Sequence, residues 1–87
     1  MSVAGAMEKK LREAFAPVRL EIVDESHMHA GHVGARPEGE THFRVTIVSQ
    51  AFAGRSRVDR QRLVYDLLRE ELDGPVHALS VSAMPPD

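Results

Sequence analysis

Thr41-His42-Phe43-Arg44-Val45-Thr46-Ile47-Val48-Ser49 alternates without a break, with Phe43, Val45 and Ile47 on one side and His42, Arg44 and Thr46 on the other. A period of two predicts a strand with one face in the core. Upstream, Val18, Leu20 and Ile22 alternate with Arg19 and Glu21, so an earlier strand pairs with it as a hairpin. Downstream, Val76 to Ala83 reads as a third strand, with His77, Leu79 and Val81 on one side. Between the second and third strands, Leu63, Val64, Leu67, Leu68 and Leu72 recur at helical spacing. That helix starts at Ser56, with Asp59 three positions on, and stops at Asp73-Gly74-Pro75. Ahead of the first strand, Met7, Leu11, Ala14 and Phe15 mark an amphipathic helix from Ala4 to Ala16, which Pro17 ends.

The order is therefore helix, strand, strand, helix, strand, an α+β (α/β) arrangement. A strand that returns through a helix to the same sheet does so right-handedly in nearly all proteins, which lays the third strand parallel to the second. The expectation is a three-stranded mixed sheet with both helices on one face.

Composition narrows the function. The chain has 87 residues, of which 43% are hydrophobic and 28% charged. A chain of this size hides roughly 60–65% of its unfolded surface, enough for one modest core. A single domain over residues 1–87 is expected, with its core at about 7–83 and a short tail at 84–87. With no cysteine, there is no disulfide framework and no zinc or iron-sulfur site built from the chain's own thiolates. A cluster held here must take its sulfur ligands from another molecule. Lys plus Arg number 11 against 13 Asp plus Glu, which argues against a surface that coats nucleic acid all round. No stretch reaches the roughly 18 apolar residues of a membrane span, and no secretory leader is evident, so a cytoplasmic setting is expected.

Residues 26–40 carry Gly31, Gly34, Pro37 and Gly39, three histidines and almost no large apolar side chain, and read as a long flexible loop. The topology puts this loop, the start of the second strand and the start of the third on one edge of the sheet. All five histidines, His27, His29, His32, His42 and His77, belong to those segments. Neutral imidazole is a good ligand for borderline-soft metals. The plainer reading of His27, His29 and His32 is as solvated loop side chains. His42 is weaker because alternation sends it opposite Phe43. His77 is the better candidate, placed by alternation on the apolar face where a histidine needs a partner.

Six pieces of the sequence occur together in register: Glu25-Ser26-x-x-His29, Glu40-Thr41-His42-Phe43-Arg44-Val45, Ile47-Val48-Ser49, Phe52-x-Gly54-x-Ser56, Arg60-x-Arg62-x-Val64-Tyr65 and Val76-His77-Ala78-Leu79. In this order and spacing the chain closely resembles the BolA-like proteins from about Leu11 to Val81. The resemblance implies a fold similar to the class II KH domain. It also implies a partnership with a monothiol glutaredoxin of the Cys-Gly-Phe-Ser type, the pair sharing a 2Fe-2S cluster with glutathione. The family's ligand in the last strand carries over to His77, and its loop ligand matches His29 by spacing from Glu25-Ser26. The loop is several residues longer than the common form, which makes His32 the reserve ligand. By itself such a protein is expected to be a monomer or a weak homodimer.

A second surface is basic. Arg55, Arg57, Arg60 and Arg62 crowd the start of the second helix, with Asp59 the only acid among them. A helix N-terminus with arginines suits phosphate, and members of the BolA-like family are described as transcriptional regulators, so DNA binding through this helix-turn-helix-like segment is the alternative function. Where relatives carry a histidine between the last two arginines, this chain has Gln61. Gly31-His32-Val33-Gly34 has the spacing of a nucleotide-clamping GxxG loop, but it falls between strands and not between helices. Without a phosphate-binding glycine loop, a His-Glu-x-x-His pair or a cysteine nucleophile, no catalysis is expected. Ser26 and Ser80, the serines nearest histidines, are assigned to the flexible loop and to a strand.

Overall fold

The computed structural model describes residues 2–26 and 41–87. Helix α1 spans Val3–Phe15 and starts at Ser2, whose hydroxyl accepts the Gly5 N–H. It ends where Ala16 turns left-handed, at φ 44°, and returns its N–H to the Arg12 carbonyl. Pro17 then makes further helix impossible. Strands β1 (Arg19–Asp24) and β2 (His42–Val48) pair antiparallel, with Ile22 opposite Val45 and Leu20 opposite Ile47. A short 3-10 turn at Gln50–Phe52 follows. Gly54 then takes φ 75°, a conformation that costs little only without a Cβ. Helix α2 covers Arg57–Leu67, and Ser56 accepts the Asp59 N–H at 3.1 Å as the spacing predicts. Strand β3 (Ala78–Met84) lies parallel to β2, giving the order β1-β2-β3.

The core is one cluster. Phe43, Val45 and Ile47 of β2 pack with Val81 and Ala83 of β3 against Met7 and Leu11 of α1 and Val64 and Leu68 of the helical crossover. Arg44, Glu21, Ser80 and Ser82 stand exposed on the other side. The expected mixed sheet with helices on one face is therefore what forms.

Four local expectations are corrected. Val18 is 72% exposed, because it precedes β1, tied only by its N–H to the Val48 carbonyl. Ala14 is exposed, although Met7 and Leu11 of the same stripe are fully buried. The second helix is not continuous: Leu68, at φ −98° and ψ 20°, separates α2 from a short α3 at Arg69–Asp73. Val64 and Leu68, four apart and so on one face, are both in the core, with Leu63, Leu67 and Leu72 packed at its margin. Ser26 is 5% exposed and hydrogen-bonded, a structural residue and not the first member of a flexible loop. The remainder of that expected loop lies outside the described residues.

Burial also falls on a residue that patterning leaves out. Glu71 is nearly buried and meets Lys10 Nζ at 2.9 Å, joining α3 to α1. The hydrogen bond to Glu71 raises the Lys10 pKa above its ordinary value. Gly74 ends α3, and a Cβ there would sit 3.3 Å from the Glu70 carbonyl, a tight contact that glycine avoids.

The outer edge of β3 is blunted by α2. Residues 57, 61 and 65 recur at i, i+4 along one helix face. Tyr65 donates its hydroxyl to the Leu79 carbonyl at 2.6 Å, and Gln61 Nε2 reaches the Val81 carbonyl at 3.4 Å. Edge carbonyls that would otherwise invite a foreign strand are thus occupied.

Candidate functional site

Three strand ends meet at one edge of the sheet: the end of β1 and the starts of β2 and β3. Two buried hydroxyls join them. Ser26 Oγ accepts the backbone N–H of Thr41 at 2.8 Å and of His42 at 3.1 Å, and lies 3.2 Å from Thr41 Oγ1. Ser26 in turn donates its N–H to Asp24 Oδ1. The carbonyl of Thr41, itself fully buried, accepts the N–H of His77 at 2.7 Å and of Ala78 at 3.2 Å. Glu25 donates its N–H to the His42 carbonyl at 2.7 Å. Buried polar groups require such partners, and here their satisfaction ties all three strands together.

The histidines sit on this frame. His42 is half-buried, and its Nδ1 lies 2.8 Å from Thr41 Oγ1. The His42 and His77 rings have centroids 6.3 Å apart and planes inclined by 32°. Beside them the Arg44 guanidinium lies 3.0 Å from the Glu25 carboxylate.

His77 is exposed, which corrects its expected place on the apolar face. The alternation that predicted burial does not apply, because β3 begins only at Ala78 and His77 belongs to the turn before it. His42 does face away from Phe43, and this is the side on which the His77 ring lies. Sequence reasoning set both histidines on one edge but discounted His42 for an orientation that the structure bears out. The parallel register that sets His42 opposite Ala78 was the available signal that His77 lies beside it. His27, His29, His32 and the Gly31–Gly34 spacing lie outside the described residues.

The described part of this edge offers imidazole and no thiolate. Among the described residues no three His, Cys, Asp or Glu gather to hold a metal ion.

The basic residues do not form one surface. Arg57 and Arg60 line a cavity of about 190 Å³ with Gln61 and Val81 to Met84. Arg62, five residues beyond Arg57, is about 140° round the helix and faces elsewhere. Arg55 precedes the helix and donates Nε–H to the Ala51 carbonyl. Among the described residues none of the four forms an ion pair. The Arg60 Nε is buried without a hydrogen-bond partner.

The family model described as "BolA-like protein" matches residues 11–87. The chain belongs to the BolA-like family. An uncharacterized protein of the cobS 5' region from Sinorhizobium sp. is 55% identical over 87 residues, covering 99% of this chain and 94% of the relative. Protein BOLA1, chloroplastic, of Arabidopsis thaliana is 52% identical over 85 residues, covering 95% of this chain but 53% of that protein, so this chain spans about half its length. The DNA-binding transcriptional regulator BolA of Escherichia coli (strain K12) is 44% identical over 81 residues, covering 93% of this chain and 73% of the regulator. The solved structure of BolA1 from Arabidopsis thaliana matches with a TM-score of 0.88 at 49% identity, covering 99% of this chain and 94% of that one. These matches extend over the three-stranded sheet and its helices, and so over the edge at which His42 and His77 meet.

Proposed function

We propose that this BolA-like chain is an accessory protein, and not an enzyme, that pairs with a monothiol glutaredoxin to bind and pass on, or sense, a 2Fe-2S cluster. His77 supplies one ligand and His29 another, with His32 in reserve, while the glutaredoxin and glutathione supply the thiolates. The observation that supports this reading is the 2.8 Å bond between Ser26 Oγ and the Thr41 N–H. It ties together the two points between which residues 27–40 run, and it does so against the carbonyl that holds His77. Ser26 and Thr41, which flank the histidine-bearing stretch in the sequence, are thereby fixed close to the exposed His77. Ligation by imidazole in place of thiolate raises the reduction potential and makes the bond sensitive to protons, both useful for handing a cluster on.

Anaerobic co-purification of the chain with the host's glutaredoxin and glutathione tests partner and cofactor together. A 1:1 complex is expected, with a visible spectrum distinct from that of the glutaredoxin alone. Separate elution with the glutaredoxin spectrum unchanged would refute the reading.

A second reading, DNA binding, is favoured by the orphaned Arg60 Nε beside Arg57 and by the name of the Escherichia coli relative. If these two side chains meet phosphates, the Arg57→Ala, Arg60→Ala double variant reduces the log–log salt slope of DNA binding by about 1.8, at roughly 0.9 per phosphate. A slope unaltered by the double substitution counts against it.

A further inference from the structure

The two hydroxyls at the sheet edge decide which nitrogen of His42 carries the proton. Ser26 Oγ already accepts two backbone N–H groups, from Thr41 and His42, and a hydroxyl oxygen has two lone pairs. It has no capacity for a third, so its own hydrogen must donate, and Thr41 Oγ1 is 3.2 Å away. Thr41 Oγ1 therefore accepts from Ser26 and turns its hydrogen to His42 Nδ1 at 2.8 Å. The reverse arrangement fails twice. A hydrogen from Thr41 to Ser26 would overfill Ser26, and a hydrogen on Nδ1 would leave that of Thr41, in a fully buried site, without an acceptor among the described residues. Nδ1 is thus an acceptor, and in a neutral ring the proton resides on Nε2.

We infer that Ser26 and Thr41 hold His42 as its Nε2-protonated tautomer, so that His42 serves the histidine edge as a hydrogen-bond donor beside His77 and not as a metal ligand. A ligand nitrogen must present a lone pair, and the Nδ1 lone pair is taken by Thr41. Thr41 acts on both histidines at once: its hydroxyl sets the His42 ring, and its carbonyl holds the backbone of His77. Thr41 and Ser26 are positioning residues. The donor role rests on the cluster-binding reading of this edge, whereas the tautomer does not. An N–H directed at cluster sulfur raises the cluster's reduction potential.

The tautomer is read on the chain alone, labelled with ¹⁵N-histidine, by two-bond ¹H–¹⁵N correlation at about pH 8, where an ordinary imidazole is neutral. An acceptor-type Nδ1 and a protonated Nε2 are expected for His42. A protonated Nδ1 overturns the inference, whether or not the chain ever binds a cluster. Thr41→Val is expected to give a mixture of tautomers and Thr41→Ser to restore the single one. A folded Thr41→Val chain that keeps the single tautomer overturns the role of Thr41. In the reconstituted complex, His42→Phe is expected to lower the reduction potential of the cluster. Loss of the cluster from that variant, to the extent seen for His77→Ala, marks His42 as a ligand and overturns its assignment as donor. A wild-type complex without a cluster overturns the function proposed above and leaves the tautomer standing.

Discussion

Replacing His77 with alanine is expected to abolish the distinctive visible spectrum of the chain–glutaredoxin complex while leaving the fold intact. The two effects separate because the residue's structural and chemical parts are different atoms. Its backbone N–H is what Thr41 holds, and alanine keeps that bond. Its side chain is exposed and precedes β3, so thermal stability should change by no more than about 0.5 kcal/mol, as for other surface substitutions. What is lost, on the proposed function, is a metal ligand, and replacing even an outer-shell partner of a ligand costs some 10–100-fold in metal affinity. The measurement is absorption and circular dichroism of the anaerobically reconstituted complex, with the Arg57→Ala, Arg60→Ala variant as a comparison expected to match wild type. His29→Ala and His32→Ala distinguish the two loop histidines by the same spectra. A His77→Ala complex with wild-type spectra removes His77 from the ligand set.

The largest effect on stability is expected at Phe52. This residue lies in a three-residue turn between β2 and α2, yet it is fully buried, with its ring centroid 5.0 Å from that of Phe15. Truncation to alanine removes most of a ring and leaves a cavity that the turn, α1 and β2 cannot all close, at a cost of about 3–5 kcal/mol. For a domain of this size each kcal/mol shifts Tm by roughly 4–8 °C, so a fall of at least about 12 °C is expected by calorimetry. The urea midpoint should drop with the m-value unchanged. Val58→Ala, at a side chain 61% exposed, should stay within about 0.5 kcal/mol of wild type. Equal melting temperatures for Phe52→Ala and wild type would show that Phe52 does not anchor the core.

Alternation made β2 legible, because Phe43, Val45 and Ile47 are buried by the same period that spaces them. It misled at Val18 and His77, both of which lie one residue outside a strand. There the chain is turning, and the two-residue period has no hold on side-chain direction. Helical spacing likewise identified the stripe after Ser56 but not the break at Leu68, because the stripe continues on one face through it. Phe52 and Glu71 were invisible to pattern because each is buried by elements distant in sequence: Phe52 against Phe15, and Glu71 against Lys10.

From the residues alone one could read the element order, the parallel return of β3, the absence of thiolates and the placing of His42 and His77 on one edge of the sheet. These follow from local periodicity, chain connectivity and composition, which need no knowledge of what touches what. That His42 approaches His77, that Ser26 is a buried acceptor, and that Thr41 holds both histidines were decided only when three strand ends met. Hydrogen bonds between residues 15 or more apart depend on where the backbone closes, and no spacing along the chain records that distance.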